Sequence, residues 1–169
     1  MKIAIFGLET PATQNAATPF GAVAFGAQRF VDRETGLFNR NSEPRARVYA
    51  AKEMGAERII GVFNGVGLNP LLRDGDALAP DDLIDQTRGG PTTFFVNRGL
   101  GYIQMTPPFC ELTRSAIANH AHASRITHHG IAIACPPRPI TPAEAKAWRA
   151  LGGAVAVWGL APEWALARA

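Results

Sequence analysis

The chain has 169 residues with 17 basic and 14 acidic side chains, and this net charge of +3 is too small and too dispersed for a nucleic-acid surface. An apolar content of 47% with 18% charged residues suits one globular domain spanning 1–169, large enough to bury about two thirds of its unfolded surface. Two cysteines are too few for a disulfide framework and no apolar run approaches the ~20 residues of a membrane helix, which points to a soluble protein of the reducing cytoplasm with no membrane partner.

The opening MKIAIFG lacks the basic and long apolar regions of a signal peptide. Lys2 to Phe6 instead reads as a buried strand ending at Gly7. The GLETP that follows carries Glu9 and no further glycine, so it is not a phosphate cradle of the G-x-G-x-x-G kind. Residues 10 to 20 have loop composition, and Gly21 to Val31 alternates enough for one or two strands. Asp32 to Pro44 is polar and reads as a loop. Its arginines Arg33 and Arg40, with Arg45 just beyond, are either solvated or contacts for an anion.

Val48, Tyr49, Ala51 and Met54 share one side of a helical repeat that Gly55 closes at the C′ position. Ile59 to Phe63 then reads as a buried strand bounded by Asn64-Gly65. The polar loop at the carboxyl end of such a strand is where open α/β sheets bind ligands. Asp74, Asp76, Asp81, Asp82 and Asp85 lack EF-hand spacing and suit turns, with Asp81-Asp82 placed after Pro80 to cap a helix.

Leu100 to Met105 reads as a strand, Thr113 to Ala123 as a helix, and Ser124 to His129 as a polar break. Ile131 to Cys135 is a strand closed by Pro136-Pro137. Thr141, Pro142 and Glu144 form a capping-box start for a helix to about Leu151. Ala154 to Val157 is a last buried strand, and Ala161-Pro162-Glu163 opens a short final helix. Strands alternate with helices, the pattern of an α/β protein with a mostly parallel sheet.

Candidate chemistry is sparse. His120, His122, His128 and His129 match no zinc spacing and read as a surface cluster, so no metal and no cofactor is expected. Cys135 stands at a strand's carboxyl end, three residues before Arg138. A nearby cation would favour its thiolate, making Cys135 and Arg138 the candidate catalytic pair. Cys110 reads as a small core residue.

Several strings, taken together, resemble the nucleoside phosphorylase family of the methylthioadenosine and purine type. They are TPFG at 18–21, YAAKEMGAERII at 49–60, GD with PDDLIDQTRGGPTTFF within 75–95, PFC at 108–110, Arg138 with Thr141, and APEWALAR at 161–168. The resemblance implies a three-layer α/β sandwich with a mostly parallel mixed sheet, here shortened at the C-terminus, and trimers. It also implies phosphorolysis of a nucleoside to a base and ribose 1-phosphate, hence a small-molecule, nucleoside-like ligand.

The departures fall where the family's chemistry lies. Gly7-Leu8-Glu9 stands where the family binds phosphate on a glycine-rich turn ending in Thr or Ser. A carboxylate about 4 Å from a phosphate charge repels it by roughly 4 kcal/mol at an effective dielectric near 20. The stretch between Arg33 and Arg40 lacks the family's histidine, and the third phosphate contact falls near Phe63 or Asn64. The motif Glu-Gly-Pro-Arg-Phe becomes Cys135-Pro136-Pro137-Arg138-Pro139, and Trp158 replaces the methionine under the ribose. By this correspondence Gly7, Glu9, Asn64 and Trp158 are the candidate ligand contacts. The expectation is a divergent member with altered or lost phosphorolysis; a non-catalytic oligomerising subunit and a conventional phosphorylase remain alternatives.

Overall fold

Strand β1 (Lys2–Phe6) forms where the apolar run predicts it, with Ala4 and Phe6 buried on one face. The computed structural model describes residues 2–7, 14–30, 33–38, 43–97, 103–120, 126–127 and 129–169. These pack as two compact units. The first draws on Met1–Phe63, Gly89–Ile103 and Pro162–Ala169, the second on Asn64–Arg88 and Gln104–Ala161.

In the first unit β1 lies between two parallel strands, β4 (Arg33–Phe38) and β5 (Ala56–Gly61). Antiparallel β3 (Gly21–Phe30) and β2 (Gln14–Thr18) complete a five-stranded sheet in the order β2-β3-β4-β1-β5. Two of these strands overturn loop expectations. β2 is polar because, among the described residues, it is an edge strand hydrogen-bonded on one side only, with every residue exposed or half-buried. Its turn into β3 is tied by Thr18, whose hydroxyl donates to Gly21 O at 2.7 Å and accepts from Phe20 N at 3.2 Å. β4 has loop-like composition yet is held on both sides, so pairing with β3 and β1 overrides propensity.

Helix α1 (Pro44–Glu53) starts four residues before the expected Val48. Its N-cap is Glu43, whose carboxylate accepts from Ala46 N at 2.9 Å, and Pro44 occupies the first turn. Glutamate is not among the favoured caps, which is why the start escaped notice. Gly55 ends the helix with φ +80°, as expected. Ala46, Val48, Ala50 and Ala51 of α1 pack with Ala4, Phe6, Val23 and Leu166 of α4 (Glu163–Arg168) in the first core. Within this apolar contact Arg47 forms an ion pair with Glu163, both side chains buried.

The second unit centres on β10 (Ile131–Cys135), whose Ala132 to Cys135 are buried. Parallel neighbours β11 (Gly153–Trp158) and β8 (Asp82–Asp85) flank it, and the short β6 (Gly65–Gly67) runs antiparallel to β11. β7 (Ala77–Leu78) and β9 (Ile126–Thr127) make a separate parallel pair. Asp82 therefore opens a strand rather than capping a helix, because the DLID segment is captured by the register Ile131↔Asp82 to Ala134↔Asp85. Four residues are too few to show a strand's period in the sequence. Ile103 to Met105 take part in no strand, against expectation, and Leu100 to Tyr102 lie outside the described residues. Helix α2 (Glu111–His120) and helix α3 (Pro142–Ala150) fall close to their predicted places. Leu68, Ile133, Cys135, Trp148 and Ala156 form the second core.

Parallel pairings predominate across the sheets, so the α/β class with mostly parallel mixed sheets expected from the sequence is the one observed. Among the described residues no helix is long and apolar enough to cross a membrane.

Breaking the Arg47–Glu163 pair from one side leaves a buried charge alone. Arg47→Leu is therefore expected to lower unfolding free energy by about 3–5 kcal/mol, whereas Arg47→Leu with Glu163→Leu recovers most of the loss. Urea denaturation of the three proteins measures this; equal losses in the single and double variants would show that the pair is not the cause.

Candidate functional site

The carboxyl ends of β8, β10 and β11 lie along one edge of the second unit's sheet, the end at which parallel strands present ligand-binding loops. Parallel register places Cys135 beside Trp158. Asn64 immediately precedes β6, whose Gly65 pairs with Val157, one residue before Trp158. Arg138 follows β10 by three residues. The structure thus gathers Asn64, Cys135, Arg138 and Trp158 on the second unit, while Gly7 belongs to the first. Glu9 lies outside the described residues.

Cys135 is 1% exposed, and its thiol donates to Val157 O at 3.5 Å. Burial pushes the thiol up from its ordinary value, and the Glu144 carboxylate pushes the same way. The indole of Trp158 and the charge of Arg138 act in the opposite sense without offsetting them. The expected thiolate is corrected accordingly: a buried, protonated thiol packed in a core is not an activated nucleophile. Cys110 reverses the other expectation, since it is exposed rather than part of a core.

Arg138 is committed locally. Its Nη2 donates to Glu144 Oε1 at 2.6 Å and its Nη1 to Glu144 Oε2 at 3.0 Å, a two-pronged pairing of fork and carboxylate. The capping box read from the sequence is present, with Thr141 Oγ1 accepting from Glu144 N at 3.2 Å and Glu144 Oε2 accepting from Thr141 N at 2.8 Å. Hydrogen bonds from Arg138 and from the Thr141 backbone hold the Glu144 carboxyl at about 2. The sequence reading found Glu144 as a cap and missed its second role. Only the spacing of six between a cation and the cap acid signalled it.

The aspartates serve structure, as expected. Asp76 accepts from Arg73 N at 2.7 Å, Asp82 from Leu83 N at 2.8 Å, and Asp85 from Thr87 N and Oγ1 at 2.8 and 2.6 Å. Asp81 Oδ1 accepts from Gly130 N at 3.2 Å, and its Oδ2 lies 3.3 Å from His129 Nδ1. Burial alone would raise Asp81; the bonds from Gly130 and His129, with the charge of Arg114, outweigh it and hold the carboxyl below its ordinary range. His129 is exposed, and His122 and His128 lie outside the described residues. No group of three or more potential metal ligands occurs among the described residues. Of the arginines proposed as anion contacts, Arg45 instead donates to Glu43 at 2.8 Å and stacks 4.9 Å from the centre of the Phe20 ring. Arg40 lies outside the described residues.

No family model matches the chain. It is 36% identical over 127 residues to the S-methyl-5'-thioadenosine phosphorylase of Thermofilum pendens, a match covering 73% of this chain and 48% of that protein. It is 31% identical over 169 residues to the probable S-methyl-5'-thioinosine phosphorylase of Methanopyrus kandleri, covering 89% and 64% of the two chains. To the 6-oxopurine nucleoside phosphorylase of Pyrococcus furiosus it is 29% identical over 183 residues, covering 96% and 69%. The chain spans about half the length of the first of these relatives and about two thirds of the others. Among solved structures, an adenosine/methylthioadenosine phosphorylase variant in apo form superposes with a TM-score of 0.90 at 23% identity, over 98% of this chain and 74% of that one. The methylthioadenosine phosphorylase of Schistosoma mansoni with tubercidin gives 0.85 at 22%, over 98% and 73%. The fold is the one these structures share.

Thr141→Ala is expected to lower stability by about 1 kcal/mol through loss of the α3 cap, read from thermal or urea unfolding. The Glu144 carboxyl is lower in the folded state than its ordinary 4.5, so its contribution is full above about pH 4.5 and is lost as the pH falls to about 2. Melting midpoints measured across that window should fall less steeply for Glu144→Gln than for the parent chain. Parallel slopes would show that the clamp adds nothing.

Proposed function

Since the chain belongs to the nucleoside phosphorylase family, we propose that it binds a purine nucleoside or a nucleoside-like small molecule, with phosphorolysis altered or lost. The observation that carries this reading is the state of the β10 exit. Where the family motif supplies a carboxylate, Cys135 offers a buried thiol bonded to Val157 O, and the Arg138 that follows is clasped by Glu144. Neither group is available for the charge work of glycosidic cleavage, in which preplaced dipoles and charges supply most of the rate. Trp158 and Asn64 are the proposed ligand contacts on the second unit. Arg138 acts with Glu144 in holding the loop, and Cys135 packs beside Trp158. The two cysteines, not joined in a disulfide, suit a reducing cytoplasm.

A second reading concerns assembly. Leu112 at the start of α2 is 73% exposed, two residues after the Pro108-Phe109-Cys110 string that resembles the family. What supports self-association there, as a trimer or its multiple, is the resemblance of that string to the place where the family packs neighbouring subunits.

The first reading is tested with methylthioadenosine, adenosine and inosine, each with and without inorganic phosphate. Saturable binding of at least one is expected. Phosphate-dependent base release should be at least about a hundredfold slower than that of the Thermofilum pendens relative assayed alongside. Comparable phosphorolysis would overturn the altered chemistry, and no binding by any of the three would overturn the nucleoside reading. Light scattering decides the second: a monomer would remove it, and Leu112→Glu should dissociate the oligomer.

A further inference from the structure

Building on Trp158 as the proposed ligand contact, we infer that Cys135 is a positioning residue whose thiol fixes the Trp158 indole at the carboxyl end of β11. Cys135 and Trp158 are register partners in the parallel β10–β11 pair, so their side chains leave the sheet on the same face. β11 lies between β10 and β6. On the β6 side the approach is close, since a Cβ on Gly65 would lie 2.6 Å from Val155 Cγ2 and 3.0 Å from Ala156 O. The backbone leading to Trp158 is thus held from both sides. The freedom that remains lies in the side-chain torsions of the indole.

The sulfur takes up that freedom. Tryptophan has one polar group, an N–H that only donates. In this chain the Trp158 indole donates it to the Cys135 thiol. The thiol in turn donates to Val157 O at 3.5 Å, on the residue next to Trp158 in the same strand. One sulfur atom therefore ties the tip of the indole back to the backbone of its own strand. The second bond needs the thiol proton, and burial, which raises the thiol from its ordinary value, keeps that proton in place. Trp158 is half-buried and packs against the core that contains Cys135. With its N–H spent on sulfur, what the ring offers a ligand is apolar contact. A ring ordered before binding also spares the complex the cost of ordering it on association.

The test uses the full chain, isotope-labelled, in which three tryptophans give three indole N–H resonances. The one lost in Trp158→Phe belongs to Trp158. In Cys135→Ala that resonance should move, and its proton should exchange with solvent roughly five- to tenfold faster than in the parent chain. Trp148 lies in the same core and is the control, because general loosening would change both indoles alike. Cys135→Ser keeps a donor and an acceptor at the position and should restore slow exchange at Trp158. With adenosine as probe, affinity should fall about three- to tenfold in Cys135→Ala and recover in Cys135→Ser. If the alanine variant does not fold, Cys135→Val fills the position without either hydrogen-bonding group and is measured in the same way. Unchanged exchange at Trp158 in a folded variant without the thiol overturns the proposal, and so does an equal change at Trp148. Unchanged adenosine affinity in that variant overturns it too. Should the parent chain bind none of adenosine, inosine and methylthioadenosine, the nucleoside reading alone falls, and the indole exchange still decides whether Cys135 holds the ring.

Discussion

Much of the second unit's candidate site turns on a single carboxylate. Glu144 takes both prongs of Arg138 and the backbone N–H of Thr141, so it joins the proline-rich exit of β10 to the first turn of α3. Both partners lie within six residues of it in sequence, so closing this loop costs little chain entropy. A planar fork on a planar carboxylate is also the strongest geometry available to either group. An anionic ligand seeking Arg138 would have to displace an intramolecular partner already in place. The same negative charge raises the Cys135 thiol, adding to the effect of burial. Glu144 thereby withdraws Arg138, while burial, with Glu144 adding to it, withdraws Cys135.

The first unit is held differently. Its small residues, Ala4, Ala46, Ala50 and Ala51, are fully or nearly fully buried in one core that joins α1 to β1, and the Arg47–Glu163 pair lies inside that apolar surface. Glu163 Oε2 has no hydrogen-bond partner among the described residues. A pair of this kind adds little net stability over apolar replacements and penalises any arrangement that separates its members. It therefore fixes where α4 sits on α1 more than how tightly.

What the sequence made legible were elements with strong local signals. β10 and β11 announced themselves by uninterrupted apolar runs, α3 by a complete capping box, and the end of α1 by Gly55. What it hid depends on partners far along the chain. β4 has the composition of a loop and becomes a strand because β3 and β1 hold it from both sides. β8 is four residues captured by β10, and β2 an exposed edge. At the site, proximity in sequence suggested that Arg138 would activate Cys135, but the thiol is buried in the second core and Arg138 is held by Glu144, six residues on. Phe63 was nominated only through the family resemblance, with Asn64 as the alternative; its place follows from Gly7 and Gly61, which make room for its ring.

A pattern runs through both units. The polar replacements that distinguish this chain are already satisfied close at hand: the Cys135 thiol by Val157 O, and the Arg138 guanidinium by Glu144. Such groups contribute to a pocket only if a ligand breaks a bond already made, and the ligand's own interaction must then exceed that loss. Phe63 and Trp158 are half-buried, each at the carboxyl end of its own unit's strands, and their rings offer planar apolar contact area there.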